Sequence, residues 1–102
     1  MTQLEFIEQI IKEKETVILD ANDKIWSYAE LPYEETRSSA LLCSILESEG
    51  FTVETGVAEI PTAFVARYVV GTGKPVMGIL GEFDALATLS QKAGCTVLDP
   101  VQ

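Results

Sequence analysis

The chain of 102 residues carries 7 basic and 16 acidic side chains, a formal net charge of −9, and contains no histidine. Its length fits one small domain or part of a larger one, and a content of 47% apolar residues is sufficient for a folded core. The acidic balance argues against a nucleic-acid partner and an anionic membrane surface, because both need basic side chains. The absence of histidine also excludes a Ser-His or Cys-His nucleophile pair.

A long amphipathic helix is predicted from residue 3 to about residue 29. Thr2 and Glu5 have the spacing of a capping box, which satisfies free amides in the first turn. Apolar residues then recur at three- and four-residue steps, and the width of this stripe favours packing against a sheet. The stripe consists of Leu4, Ile7, Ile11, Ile18, Ala21 and Ile25.

A second helix is predicted from about residue 33 to residue 49. Pro32 is suited to a helix start, and Glu34 and Glu35 are expected in the first turn, near the positive end of the helix dipole. Gly50 follows the last apolar position, where a left-handed residue commonly ends a helix.

Three strands are predicted next, at about residues 51–57, 63–70 and 76–82. The glycine-rich segment 71–75 is predicted to form a turn between the last two. Its sequence lacks the glycine and serine or threonine spacing of a phosphate-binding loop. The third strand is uncharged and apolar, which predicts burial on both faces. The fold class expected is therefore α/β, with two N-terminal helices packed on a small three-stranded sheet that is incomplete by itself.

The sequence lacks most of the signals that direct a protein to a particular cellular compartment. The N-terminus lacks the basic region and apolar core of a secretory signal, and no apolar run is long enough to span a bilayer. Cys43 and Cys95 are far apart in sequence, and we expect both to be reduced thiols in a cytoplasmic protein. Cys43 is predicted to be an ordinary buried thiol, and Cys95 a thiol with no role as a metal ligand.

The residues that could carry chemistry follow the third predicted strand. Glu82 and Asp84 lie where functional side chains gather in α/β sheets, just beyond the carboxyl end of a strand. Two carboxylates at this spacing suit metal ligands, partners of a metal ligand, or general acid and base groups. The alternative is that they only cap the following turn.

Several segments together resemble the metal-dependent aminoacylase, carboxypeptidase and amidohydrolase family, and within it the type that hydrolyses p-aminobenzoyl-glutamate. The resemblance covers nearly the whole chain, in order and with similar spacing. The matching runs are Asp23–Leu31, Glu34–Ser39, Gly50–Glu54, Gly56–Ala66, Gly81–Leu86 and Leu89–Gln91.

This resemblance implies a catalytic domain with a two-metal site, holding Zn or Mn, and an inserted dimerisation domain. Such proteins hydrolyse the amide bond of a small-molecule N-acyl amino acid, and this type releases glutamate from p-aminobenzoyl-glutamate. It also implies a homo- or hetero-oligomer. Asp84 matches the aspartate of the first site motif of the family, which would orient a metal-ligand group or hold the site loop. Glu82 stands where many members have a histidine and is not assigned as a ligand, and Ala87 replaces a frequent proline.

The metal ligands and catalytic glutamates of the family lie downstream of the matched residues. We therefore expect residues 1–102 to be the N-terminal portion of such a catalytic domain, inactive alone and without a metal of its own. One alternative is a free-standing acidic interaction module that associates through an exposed sheet edge. Another is a carboxylate metal-binding domain that uses Glu82 and Asp84.

Overall fold

The structure of the chain is a computed structural model in which residues 1–101 are described; Gln102, the last residue of the predicted domain, lies outside them. Its architecture is mixed α/β, as the sequence predicts, with two helices and a two-stranded antiparallel sheet. The elements in chain order are α1 (Gln3–Tyr28), α2 (Thr36–Ser48), β1 (Thr52–Thr55) and β2 (Phe64–Arg67), with a turn at Val57–Glu59 in which Ala58 and Glu59 have left-handed φ.

The start of α1 is determined by its capping box. The Thr2 hydroxyl accepts a hydrogen bond from the Glu5 amide at 3.1 Å, and the Glu5 carboxylate accepts one from the Thr2 amide at 3.4 Å. The predicted capping box is confirmed. The helix ends at Tyr28, and Ala29 follows with a left-handed φ of 48°.

Helix α2 begins later than the sequence suggests. The predicted start near residue 33 places Glu34 and Glu35 in the first turn, whereas α2 begins at Thr36 and both residues precede it. Glu35 occupies the capping position without a side-chain capping hydrogen bond. Tyr33, with a left-handed φ of 66°, lies in the connecting turn, which explains why regular helix cannot start there.

The end of α2 follows the prediction at Gly50. This glycine has a φ of +95°, and its amide donates to the Glu47 carbonyl at 3.0 Å. The Phe51 amide donates to the Leu46 carbonyl at 3.0 Å, which completes a Schellman motif. A Cβ atom at Gly50 would lie 3.3 Å from the Tyr68 ring. Glycine is therefore favoured by both backbone conformation and space.

Strands β1 and β2 pair in antiparallel register from Thr52 opposite Arg67 to Thr55 opposite Phe64. They are shorter than the predicted segments 51–57 and 63–70, because the chain leaves extended conformation after Thr55. Gly56 adopts a left-handed φ of 70°, and its amide donates to the Ala63 carbonyl at 2.8 Å. This backbone hydrogen bond joins the two ends of the loop between β1 and β2, one residue beyond the last strand pair.

The third predicted strand, residues 76–82, is not formed, and the expected burial on both faces is wrong. Val76, Met77, Ile79 and Leu80 are each at least 85% exposed, and no strand is assigned in this segment. A strand is stabilised by ladder hydrogen bonds and by burial of its side chains. Residues 1–101 provide neither for this segment.

The buried part of the molecule is small and lies around α2. Cys43 and Ala21 are its buried apolar residues, while Ser38, Ser39 and Thr62 are buried polar ones. The predicted apolar stripe of α1 is mostly uncovered, with Leu4, Ile7, Ile11 and Ile18 between 52% and 65% exposed. The sheet is too small to reach the N-terminal half of a helix of 26 residues.

Neither α1 nor α2 combines the length and apolarity needed to cross a membrane, within residues 1–101.

Candidate functional site

The segment that carries Asp84 is held on both sides of this residue. On one side, the Phe83 ring lies 6.1 Å from the Phe64 ring of β2, measured between centroids. On the other, the Ala85 amide donates to the Glu30 carbonyl at 2.7 Å. Although residues 76–82 lack regular structure, the chain therefore returns to the folded part at residues 83–85.

The carboxylates of Glu82 and Asp84 themselves are exposed. Across the described residues, no group of three or more histidine, cysteine, aspartate or glutamate side chains could hold a metal ion. A two-metal hydrolytic centre needs several ligands that converge on one point. The described residues do not fit such a centre, and no chemical step is assigned to a metal in this chain.

Glu30 is the carboxylate that the structure distinguishes most clearly. Its Oε1 accepts the Ser38 amide at 2.7 Å, and its Oε2 accepts the Arg37 amide at 3.0 Å. The Arg37 Nε also lies 3.3 Å from Oε2, in an ion pair in which the Glu30 side chain is only 8% exposed. The side chain of Glu30 thus satisfies the first free amides of α2, a role the sequence suggests for Glu34 and Glu35.

The pKa of Glu30 reflects these contacts. Burial acts to raise it, but the amides of Ser38 and Arg37 and the Arg37 guanidinium together outweigh burial and lower the pKa to about 2. The carboxylate is therefore ionised at neutral pH, beside the positive end of the α2 dipole. Its negative charge stabilises the helix start and is not available as a general acid.

Arg37 connects the end of α1 to the start of α2. Its guanidinium lies 4.5 Å above the Tyr28 ring, and its Nη2 donates to the Tyr28 carbonyl at 3.4 Å. Together with the ion pair to Glu30, these contacts close the turn between the two helices. This turn is the surface against which the Asp84 segment docks through Ala85.

Sequence reasoning did not find the role of Glu30, although the residue lies in one of the matched runs. A carboxylate a few residues before a predicted helix, two residues before Pro32, is a recognisable signal of N-terminal capping. The signal is ambiguous here because Glu34 and Glu35 lie closer to the helix and satisfy the same expectation.

The two cysteines lie in different environments, and both are free thiols. Cys43 is buried in α2, where burial raises the pKa of its thiol and keeps it protonated. Cys95 is exposed, with its Sγ 3.9 Å from the Asp99 carboxylate. The prediction that Cys43 is buried is thus confirmed, and the reduced state of the two thiols stays a prediction.

The C-terminal segment folds back on α1 through the only tryptophan of the sequence. Trp26 donates from its indole Nε1 to the Gln91 carbonyl at 2.7 Å. The Gln91 side chain bonds the Val97 carbonyl at 2.6 Å and the Asp99 amide at 2.8 Å. These bonds of Gln91 thereby hold the base of the loop formed by residues 91–99.

A groove of about 480 Å³ lies between α1, the end of α2 and the start of the sheet. It is mostly apolar, and the ion pair between Lys14 and Glu49, at 2.7 Å, borders it. Neither Glu82 nor Asp84 lines it, so it is separate from the predicted site residues. Its lining residues are Lys14, Val17, Ile18, Ile45, Glu49, Phe51 and Tyr68.

Comparison with known proteins places the chain among hydrolases. It is 49% identical over 90 residues to a subunit of the p-aminobenzoyl-glutamate hydrolase of Escherichia coli, a match that covers 88% of this chain and 18% of that protein. It is 31% identical over 86 residues to thermostable carboxypeptidase 1 of Saccharolobus solfataricus, covering 84% of this chain and 22% of that protein. No family model matches the chain, and no solved structure matches it significantly.

The chain thus spans about a fifth of the length of these two relatives. Both relatives are hydrolases by name, and neither supports the alternative of an acidic interaction module. The resemblance predicted from the sequence is confirmed: over most of its own length, the chain is related to the p-aminobenzoyl-glutamate hydrolase and carboxypeptidase group of proteins.

Proposed function

We propose that the chain is the N-terminal portion of the catalytic domain of a metal-dependent amidohydrolase. The substrate of the whole protein is p-aminobenzoyl-glutamate or a related N-acyl amino acid, whose amide bond is hydrolysed. The observation that carries this proposal is the 49% identity to a hydrolase named for that substrate, over 88% of the chain.

The divalent metals of this proposal, Zn or Mn, are bound by residues outside the matched portion. The sequence has no histidine, and the described carboxylates do not converge in groups of three. A two-metal centre needs more ligands than Glu82 and Asp84 can supply. In the proposal, the 102 residues are therefore inactive by themselves.

Asp84 is the residue of this chain that we propose for the site, as a positioning group for a metal ligand or for the site loop. What supports this role is its exposed carboxylate between two fixed neighbours, Phe83 and Ala85. A rigidly held backbone with a free side chain is the arrangement that a site residue needs.

We further propose a cytoplasmic protein that acts within an assembly of several chains. The relative from Escherichia coli is named as one subunit of its hydrolase, which supports an assembly of more than one chain. In this proposal, both cysteines are reduced thiols, as is usual in the cytoplasm.

A chimeric enzyme tests the proposed function. The 90 matched residues of the Escherichia coli protein are replaced by those of this chain, and glutamate release from p-aminobenzoyl-glutamate is measured in its complete assembly with Zn or Mn. We expect hydrolysis by the chimera and none by the 102 residues alone. Asp84→Asn in the chimera should lower kcat/KM by about 10- to 100-fold, because positioning partners of metal ligands have effects of that size.

Asp20→Asn is the matched control, since Asp20 lies on the exposed surface of α1 in an ion pair with Lys24. This variant should keep the activity of the chimera. Glutamate release by the 102 residues alone would contradict their proposed inactivity. A metal-loaded, assembled chimera without hydrolysis would contradict the proposed function.

A further inference from the structure

The Ala85 amide, next to Asp84, bonds the backbone carbonyl of a residue whose side chain is itself fixed. That residue is Glu30, and the distance from its carbonyl oxygen to the Ala85 nitrogen is 2.7 Å. Loops are more mobile than helices and strands. A loop carbonyl therefore holds its hydrogen-bond partner in place only if the backbone around that carbonyl is itself fixed. The stability of this contact therefore depends on what holds residue 30.

The carboxylate of Glu30 provides that restraint. Both of its oxygens are occupied by amides at the start of α2, Ser38 at 2.7 Å and Arg37 at 3.0 Å. Hydrogen bonds to a charged acceptor are among the stronger ones in proteins, and here the side chain is almost fully buried. The side chain of residue 30 thus points to α2, while its carbonyl binds the Asp84 segment.

We propose that Glu30 is the positioning residue of the loop that carries Asp84. Its carboxylate fixes the turn between α1 and α2, and its carbonyl then fixes Ala85 and with it the backbone of Asp84. The contact between Phe83 and Phe64 holds the other side of Asp84. The inference rests on the proposed function, since it concerns the site residue of that proposal.

A residue that only caps α2 would behave differently from a positioning residue. Loss of a cap loosens the first turn of the helix, around Arg37 and Ser38, and leaves a distant loop unchanged. Loss of a positioning residue also loosens residues 83–86, which are attached to the turn before α2 through the Glu30 carbonyl.

Amide hydrogen exchange and backbone chemical shifts, measured by NMR on the 102-residue chain, separate these cases. In Glu30→Ala, we expect the Ala85 amide to exchange about tenfold faster or more, because the restraint on its acceptor is lost. The shifts of residues 83–86 should move as well. Glu30→Gln keeps an acceptor oxygen for α2 and should restore a large part of the Ala85 protection.

Thr2→Ala is the matched control, because it removes the side-chain cap of the other helix, at the far end of α1. It should leave Ala85 exchange and the shifts of residues 83–86 as in the parent chain. An unchanged exchange rate of the Ala85 amide in Glu30→Ala would overturn the inference. The inference would also be overturned if Thr2→Ala accelerated the exchange of this amide as much as Glu30→Ala does.

If Glu30→Ala fails to fold, Ala85→Pro tests the same link, because it removes the amide donor and leaves the carboxylate in place. Increased backbone mobility at Asp84 and Leu86, measured by NMR relaxation, with the exchange of the Ser38 amide unchanged, would support the inference. Unchanged backbone mobility at Asp84 and Leu86 would overturn it. None of these measurements needs substrate or metal, so their outcome is independent of the chimera test of the proposed function.

Discussion

Single residues with special backbone or capping roles determine where the helices of this chain begin and end. Thr2 with Glu5 starts α1, and Gly50 ends α2 in a Schellman motif. These signals act over a few residues, which is why the sequence predicts them. Glu30 also starts a helix, but its amide partners lie seven and eight residues away, beyond a turn with irregular backbone.

At the residue scale, Gly50→Ala should destabilise the chain by about 1–2 kcal/mol. The left-handed φ of +95° disfavours any side chain, and the new Cβ would lie 3.3 Å from the Tyr68 ring. Denaturant unfolding followed by circular dichroism measures the effect. Gly78→Ala is the control, because Gly78 has no left-handed φ and open space around it. Equal unfolding free energies for Gly50→Ala and the parent chain would contradict this prediction.

At the scale of elements, α2 depends on a carboxylate from the preceding loop instead of one in its own first turn. The Glu30 side chain accepts both the Arg37 and Ser38 amides, whereas Glu35, at the capping position, makes no such bond. The start of α2 therefore requires the whole turn after α1 to be in place. Glu30 is also the residue through which the Asp84 segment is attached.

This arrangement predicts that acid destabilises the chain through Glu30. Its pKa is about 2 in the folded chain against an ordinary value of 4.5, so its contribution is complete above about pH 4.5 and is lost as the pH falls toward 2. That contribution is up to about 3 kcal/mol. Unfolding free energies of the parent chain and Glu30→Gln should therefore converge as the pH falls from 5 to 2.

Glu8→Gln is the control for this titration, since it removes one exposed carboxylate from α1 and leaves Glu30 intact. The difference in unfolding free energy between Glu8→Gln and the parent chain should not shrink with falling pH in the way expected for Glu30→Gln. A constant difference in unfolding free energy between the parent chain and Glu30→Gln from pH 5 to pH 2 would contradict the role assigned to this carboxylate.

At the scale of the whole molecule, large apolar surfaces remain uncovered in this 102-residue chain. They include the N-terminal half of α1 and the segment 76–80, whose large side chains are at least 85% exposed. Large exposed apolar surface is typical of a region that packs against further protein. The relatives are about five times longer than the matched portion, in line with the proposed portion of a larger domain.

Because the side chains of residues 76–80 are exposed, we expect Ile79→Lys to change the stability of the isolated chain very little. Ile79 is fully exposed, so the charge is not desolvated, and the unfolding free energy should stay within about 0.5 kcal/mol of the parent chain. Self-association, measured by analytical ultracentrifugation, should decrease because an exposed apolar segment gains a charge.

Ala21→Glu is the contrasting control, because Ala21 is buried and the new carboxylate would be desolvated. This variant should lose about 2 kcal/mol or more. A loss of that size in Ile79→Lys would show that residues 76–80 are packed in solution, against the structure.

The sequence by itself determined the α/β composition, the two helices with the capping box and the glycine end of α2, and the relation to the hydrolases. Each of these rests on local spacing or on matched runs. Only the tertiary structure decided that residues 76–82 form no strand and that Glu30 joins α2 to the Asp84 segment. Strand formation depends on a partner strand, and the role of Glu30 depends on amides from two distant segments. Contacts of this kind are made only when the chain has folded.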